Sequence, residues 1–190
     1  RLLTGFGDGV TVALDAADGR VLWERNTSLD LEAKEGGAPR FLDVDTTPLV
    51  RGETVYVASF SAGLYALSLA NGTVQRRLPE RTGVVGLAAS RDCLVVASAD
   101  QGVLCLRWRD HAVRWQHELM RGAPSEPVIA GNNVLVGEST GAFLALSLET
   151  GAERARIDTG NGFSATPAVA RHRGFVLSNG GSLFGFVVGR

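Results

Sequence analysis

The sequence predicts an all-β fold, a β-propeller of four-stranded antiparallel blades, and three observations support this prediction. Strand-like runs repeat about every 40 residues along the 190-residue chain. Glycine is abundant, at 24 residues, and Asp-Gly, Asn-Gly and Thr-Gly pairs separate several of these runs, as in hairpin turns. Apolar residues do not recur at the three- and four-residue spacing of helices. Four short strands in each unit of this length are typical of a propeller blade.

The repeat is marked by a small residue followed by leucine. These pairs are Ala13-Leu14, Ala66-Leu67, Cys105-Leu106 and Ala145-Leu146. The last three pairs follow one another at intervals of 39 and 40 residues, and a glycine recurs every 39 residues from Gly63 to Gly180. The interval between the first two pairs is longer, at 53 residues, which indicates a long loop between the first two blades.

This spacing predicts five blades, of which the first and the last are incomplete. The predicted blades span 1–28 (partial), 42–79, 82–119, 122–158 and 163–188 (partial), with an inter-blade loop over 29–41. The chain is expected to begin at a second strand and to end after a third strand. Two three-stranded pieces cannot merge into one four-stranded blade. We therefore expect an open arc of about five blades cut from a larger ring, or an arc whose edges pair with another chain.

Composition and charge exclude several classes of function. Hydrophobic residues make up 45% of the chain, which is enough for a buried core. The formal net charge of −1 argues against a nucleic-acid partner, because such proteins present a basic face. No run approaches the roughly 18 to 20 apolar residues of a membrane span.

The two cysteines are too few for a disulfide framework or a zinc site. If the hairpin between them pairs Ser98 with Val103, Cys93 and Cys105 point to opposite faces of the sheet. We therefore expect both thiols to be unpaired.

No catalytic or metal-binding constellation stands out. The three histidines, His111, His117 and His172, occupy different phases of the repeat, so structural or surface roles are favoured over a shared metal site. Trp23 and Trp115 could form a sugar-binding platform, but their fixed phase in the repeat favours packing between blades.

Two motifs resemble known families. The run from Ala13 to Trp23 resembles the blade signature of the PQQ-like quinoprotein repeats. The run Asp43-Val44-Asp45-Thr46-Thr47-Pro48, followed by Gly63-Leu64-Tyr65-Ala66-Leu67, is similar to the BamB family of outer-membrane β-barrel assembly lipoproteins. The similarity continues through residues 125–128, 136–141 and 162–167 and covers nearly the whole chain.

The second resemblance implies a non-catalytic scaffold that uses no cofactor. It also implies an eight-bladed ring, located at the periplasmic face of the outer membrane of a Gram-negative bacterium. It implies an N-terminal lipid anchor, which we expect to be absent from these 190 residues, and docking onto the POTRA domains of BamA. It also places Asp43 and Asp45 on the partner-facing surface. The residues alone leave a second interpretation open, because an Asp before a strand often accepts hydrogen bonds from nearby backbone amides. One Asp could hold the loop while the other faces the partner.

Two other functions use similar repeats. A PQQ-dependent dehydrogenase would need calcium ligands, a catalytic Asp, a cofactor cavity and a disulfide between adjacent cysteines. Cys93 and Cys105 are not adjacent, and no cluster of acids is visible. A ligand-sensing propeller domain of a signalling protein is the other alternative.

Overall fold

The protein is described by a computed structural model that covers residues 1–31, 41–44 and 46–189. These residues contain 18 β-strands and one 3₁₀ turn, Ser28–Asp30. The strands form antiparallel sheets of three, four, four, four and three strands, each hydrogen-bonded within itself. The predicted all-β fold of four-stranded blades with an incomplete blade at each end is confirmed. No helix in the described ranges is long and apolar enough to cross a membrane.

The chain divides into two compact units, Arg1–Val84 and Val85–Arg190. The first unit holds two sheets, with strands β1 (Leu2–Gly5), β2 (Val10–Leu14) and β3 (Val21–Asn26) in the first sheet and β4 (Leu49–Arg51), β5 (Thr54–Ser59), β6 (Gly63–Ser68) and β7 (Val74–Leu78) in the second. The predicted loop over 29–41 falls mainly on residues 32–40, which lie outside the described residues.

The second unit holds three sheets, and its first strand begins at the boundary residue Val84. The third sheet contains β8 (Val84–Ala89), β9 (Cys93–Ser98), β10 (Gly102–Arg107) and β11 (Val113–His117). The fourth contains β12 (Val128–Ala130), β13 (Asn133–Gly137), β14 (Ala142–Ser147) and β15 (Glu153–Asp158). The fifth contains β16 (Ala168–Ala170), β17 (Arg173–Leu177) and β18 (Leu183–Val187).

A β-bulge explains the small-residue–leucine pair of the repeat. In each of the first four sheets the register of the last two strands shifts within this pair, at Ala13/Leu14, Ala66/Leu67, Cys105/Leu106 and Ala145/Leu146. The small residue lies directly opposite Trp23 in the first sheet and Trp115 in the third. A small side chain at this position leaves room for a large ring on the facing strand.

Trp23 and Trp115 pack between neighbouring sheets, as the sequence predicts. The indole Nε1 of Trp23 donates a hydrogen bond of 3.0 Å to the carbonyl oxygen of Leu69, in the second sheet's last turn. Trp115 makes the corresponding bond of 2.9 Å to Leu148, in the fourth sheet. Both residues are buried. Each bond satisfies the single polar atom of an otherwise apolar ring.

A glycine in the receiving turn lets each tryptophan approach closely. A Cβ added at Gly72 would lie 2.6 Å from Cε3 of Trp23, and one added at Gly151 would lie 2.5 Å from Cε3 of Trp115. Both glycines also have a positive φ, near +70°, that other residues rarely adopt. Only glycine therefore meets both the conformational and the spatial requirement of this turn.

The cores lie between neighbouring sheets within each unit. In the first unit the cluster consists of Ala13, Trp23, Val44, Val55, Val57, Ala62, Tyr65 and Leu67. In the second unit one cluster joins the third and fourth sheets around Trp115 and Leu144, and another joins the fourth and fifth around Phe143 and Phe163. The far face of the fifth sheet exposes Phe175, Leu177, Leu183 and Val187.

Cys93 and Cys105 form a disulfide bond, so the expectation of unpaired thiols is wrong. The β9–β10 hairpin pairs Ser98 with Gly102 instead of Val103. Because side chains alternate along a strand, this difference of one residue brings both cysteines to the same face. Their Cα atoms are 5.6 Å apart, a separation common in disulfides.

Candidate functional site

Asp43 lies in the segment that leads into the second sheet, and it is the predicted partner-binding residue that the structure describes. The segment Phe41–Val44 precedes β4 and lies beside the turn between β1 and β2. Asp45, the second predicted residue, lies outside the described residues. The structure therefore gives a position for Asp43 alone.

Backbone hydrogen bonds and a buried side chain hold this segment in place. The N–H of Val44 donates to the carbonyl oxygen of Phe6 at 3.1 Å, and the N–H of Phe60 donates to the carbonyl oxygen of Asp43 at 2.9 Å. The Val44 side chain is buried in the core of the first unit. Asp43 is thus fixed by its backbone and by its neighbour, and its carboxylate is not needed to hold the loop.

The carboxylate of Asp43 makes no hydrogen bond or ion pair with the described residues. It lies over Gly7, where an added Cβ would be 3.2 Å from Oδ1 of Asp43. Among the residues the structure describes, no group donates a hydrogen bond to this carboxylate and no cation pairs with it. Asp8, one residue from Gly7, does have a turn role, because its Oδ1 accepts a hydrogen bond of 3.1 Å from the N–H of Val10.

Three phenylalanines belong to the same part of the fold as Asp43 and were not expected from the sequence. The backbones of Phe6 and Phe60 are hydrogen-bonded to the Asp43–Val44 peptide group, and Phe41 lies two residues before Asp43. Phe6 is 47% exposed and Phe41 is 55% exposed. The rings of Phe41 and Phe60 meet edge to face with centroids 5.7 Å apart. We call the set Phe6, Asp8, Phe41, Asp43 and Phe60 the acidic–aromatic patch. The available signal was a large apolar residue within a turn, as at Phe6 and Phe60, where polar residues are usual.

Thr46, the first threonine of the Asp-Val-Asp-Thr-Thr-Pro run, has a structural role. The buried Oγ1 of Thr46 accepts a hydrogen bond of 3.2 Å from the N–H of Ala58 in β5. Ser125 occupies the equivalent position before the proline of the fourth sheet, and its Oγ accepts a bond of 2.9 Å from the N–H of Gly137. This part of the run therefore belongs to the repeat and not to the patch.

Glu138 is the buried charged group of the second unit, and its oxygens are used within the fold. Its carboxylate accepts hydrogen bonds from the backbone N–H groups of Met120, at 2.7 Å, and Ala142, at 2.9 Å. Nη1 of Arg156 is 3.6 Å from Oε2 of Glu138. With both oxygens engaged, the carboxylate supports the loop before the fourth sheet.

In other sheets, a serine occupies the position that corresponds to Glu138, at the end of the second strand. The buried residues at the end of the second strand are Ser59, Ser98, Glu138 and Ser178. Each accepts a hydrogen bond from a backbone N–H of the turn that follows, at distances of 2.9 to 3.3 Å. Glutamate performs this local function and, because it is longer, also reaches the preceding loop.

The histidines do not form a site together. His111 lies in a turn with a φ of 59°, His117 ends β11, and His172 lies in the turn between β16 and β17. Within the described ranges, no three His, Cys, Asp or Glu side chains are grouped closely enough to hold a metal ion.

Burial raises the pKa of Tyr65 well above its ordinary value, so this phenol stays neutral.

A cavity of about 400 Å³ lies between the fourth and fifth sheets of the second unit. Its walls include Leu135, Phe143 and Phe186, together with Ala155, which occupies the register position that Trp115 has in the third sheet. Its charged side chains are two arginines. The wall residues that the structure describes offer apolar contact and positive charge but no nucleophile or general base.

Comparisons with known proteins agree with the resemblance seen in the sequence. The family model described as "Outer membrane protein assembly factor BamB" matches residues 1–117 and 109–187. The BamB of Pseudomonas aeruginosa is 30% identical over 191 residues, covering 98% of this chain and 49% of that protein. The BamB of Legionella pneumophila is 29% identical over 183 residues, covering 96% of this chain and 47% of that protein.

The structural comparison gives the same result. The crystal structure of BamB from Moraxella catarrhalis matches 97% of this chain with a TM-score of 0.78 and 25% sequence identity, and the match covers 55% of that chain. The chain therefore spans about half the length of the relatives it matches.

Proposed function

Because the chain belongs to the BamB family of outer membrane protein assembly factors, we propose that it acts in outer membrane protein assembly as a non-catalytic scaffold that binds the POTRA domains of BamA. The observation that supports this proposal is the state of Asp43. The peptide group that joins Asp43 to Val44 is fixed by two hydrogen bonds, and the carboxylate of this half-buried residue has no cation among the described residues. A positioned and unpaired carboxylate is suited to a basic group of a partner.

The disulfide supports the proposed location. We propose that the protein works at the periplasmic face of the outer membrane of a Gram-negative bacterium, with an N-terminal lipid group as its anchor. The Cys93–Cys105 disulfide indicates an oxidising compartment, because disulfides are rare in proteins of the reducing cytosol. The periplasm is such a compartment.

The test is charge reversal at the two acids of the motif. Asp43→Arg combined with Asp45→Arg should weaken binding to the purified POTRA fragment of the cognate BamA by about 30-fold or more, since a broken charge pair in an interface costs about 2 kcal/mol or more. The dissociation constant can be measured by isothermal titration calorimetry. Raising the ionic strength should weaken the unaltered protein more than the variant, because salt screens the attraction that the variant has lost.

A matched control distinguishes a specific effect of Asp43 and Asp45 from a general effect of the changed net charge. Glu24→Arg combined with Glu53→Arg makes the same change in charge on exposed residues of the same unit, and it should bind as the unaltered protein does. Equal binding by the Asp43/Asp45 variant, with an unchanged melting temperature, would remove these residues from the site. Failure of that variant to fold would favour the turn role of the two acids.

A further inference from the structure

The acidic–aromatic patch contains more than an acid, and among the described residues the side chains of Phe6 and Phe41 lie outside the core of the first unit. Phe6 and Phe41 are about half exposed, and both lie at loop positions where polar residues are usual. Neither residue belongs to the core cluster of this unit. Exposed aromatic side chains grouped around a positioned charge are typical of an interaction surface.

The same contacts that position Asp43 also position the rings. Phe6 accepts the hydrogen bond from Val44 and Phe60 donates the bond to Asp43, so both residues are tied to the segment that bears the carboxylate. The Phe41 carbonyl oxygen accepts a hydrogen bond from the hydroxyl of Ser61, next to Phe60. The patch is therefore organised before a partner arrives, which reduces the entropy cost of binding.

We propose that this patch receives an arginine side chain of the protein partner, with the guanidinium paired to Asp43 and its flat face against the ring of Phe41. The proposal rests on the proposed function and names the chemistry of the contact. A segment that carries both an unpaired carboxylate and the exposed ring of Phe41 suits guanidinium better than ammonium, because guanidinium is planar, pairs with carboxylate through two N–H groups and stacks on aromatic faces. The exposed carboxylate of Asp8 adds negative charge nearby.

The experiment compares substitutions at Phe41 that keep or remove the ring. Binding of the POTRA fragment of the cognate BamA is measured for Phe41→Tyr, Phe41→Leu and Phe41→Ala. The tyrosine variant should bind as tightly as the unaltered protein, and the leucine variant should bind about two- to fivefold more weakly, since an exposed cation–π contact contributes about 0.5 to 1 kcal/mol. Val74→Ala, an exposed apolar position on the outer strand β7, is the matched control and should bind normally.

The partner side is tested by changing each arginine of the POTRA fragment to lysine in turn. One such substitution should weaken binding, and its effect should be largely lost when it is combined with Phe41→Leu, because the two residues share one contact. Melting temperatures of the Phe41 variants should stay close to that of the unaltered protein, since Phe41 is 55% exposed and lies outside the core cluster of the first unit.

The outcomes distinguish the inference from the proposed function. If charge reversal at Asp43 and Asp45 abolishes binding but all Phe41 variants bind normally, the inference is wrong and the proposed function stands. Normal binding by Phe41→Leu with weak binding by Phe41→Ala would show a merely apolar contact, and so would the absence of any coupled arginine. Both results contradict the inference. If the unaltered protein does not bind the fragment, the proposed function fails and the inference fails with it.

Discussion

The indole N–H of Trp115 donates a hydrogen bond to the carbonyl oxygen of Leu148, and this bond joins the last strand of one sheet to the last turn of the next. The ring itself belongs to the core between the third and fourth sheets. Trp23 repeats the arrangement with Leu69 in the first unit. Sheets that are not hydrogen-bonded to each other through their strands are therefore connected at this point by a side chain.

Two substitutions of Trp115 should separate the contribution of its buried apolar ring from that of its hydrogen bond. Trp115→Ala should lower the free energy of unfolding by about 3 to 5 kcal/mol, because it removes a large buried side chain and leaves a cavity. Trp115→Phe should cost less, since it loses the hydrogen bond and keeps most of the apolar contact. Urea denaturation measures both. Trp108, which is only half-buried, is the control, and a Trp108→Ala variant as unstable as Trp115→Ala would contradict this view.

The receiving glycine can be tested with an internal control. Gly151 and Gly19 have nearly the same positive φ, 73° and 74°, but only Gly151 has a ring within contact of the missing Cβ. Both substitutions to alanine should cost about 1 kcal/mol for the left-handed conformation. Gly151→Ala should cost more, because it also displaces Trp115. Equal losses of stability in urea denaturation would show that the ring moves freely out of the way.

The features that repeat along the chain could be predicted from the sequence, and the features that depend on one register or one loop could not. The position of Trp115 follows from its fixed phase in the repeat, because a repeated contact selects a residue at the same place in each unit. The Cys93–Cys105 pairing depends on whether Ser98 pairs with Gly102 or with Val103 across the hairpin. The sequence alone does not decide between these two registers.

The acidic–aromatic patch shows the same limit. The motif around Asp43 indicated an acidic contact, but it did not indicate Phe6 and Phe60, which come from a turn of the first sheet and a hairpin of the second. Only the packing of the two sheets brings Phe6 and Phe60 to the same segment. Residues that are distant in the chain and outside the repeat pattern leave no common signal in one sequence.

Glu138 should be more important for stability than the serines at its equivalent positions. Glu138→Ala should lower the free energy of unfolding by about 3 kcal/mol, because it leaves the N–H groups of Met120 and Ala142 without an acceptor and Arg156 without one of its anions. Glu138→Ser should cost less, since a serine can still accept the bond from Ala142, as Ser98 does in its own turn.

Urea denaturation of these two variants beside Ser98→Ala gives the comparison. The hydroxyl of Ser98 accepts hydrogen bonds from the N–H groups of Asp100 and Gln101 in its turn, and the loss of these bonds should cost about 1 kcal/mol. If Glu138→Ala were no more harmful than Ser98→Ala, the loop before the fourth sheet would not depend on the carboxylate.

The disulfide should stabilise the protein only under oxidising conditions. Its cysteines are separated by 12 residues, and closing a loop of this size removes enough freedom from the unfolded chain to contribute about 3 kcal/mol. Adding a reducing agent should therefore lower the melting temperature of the unaltered protein. The double variant Cys93→Ala with Cys105→Ala should melt lower and should not respond to the reducing agent, which makes it the control for effects on the rest of the molecule. Thiol labelling of the unfolded protein, prepared from an oxidising compartment, should detect no free thiol before reduction and two afterwards. Two labelled thiols before reduction would show that the bond does not form there, and the support it gives to a periplasmic location would be lost.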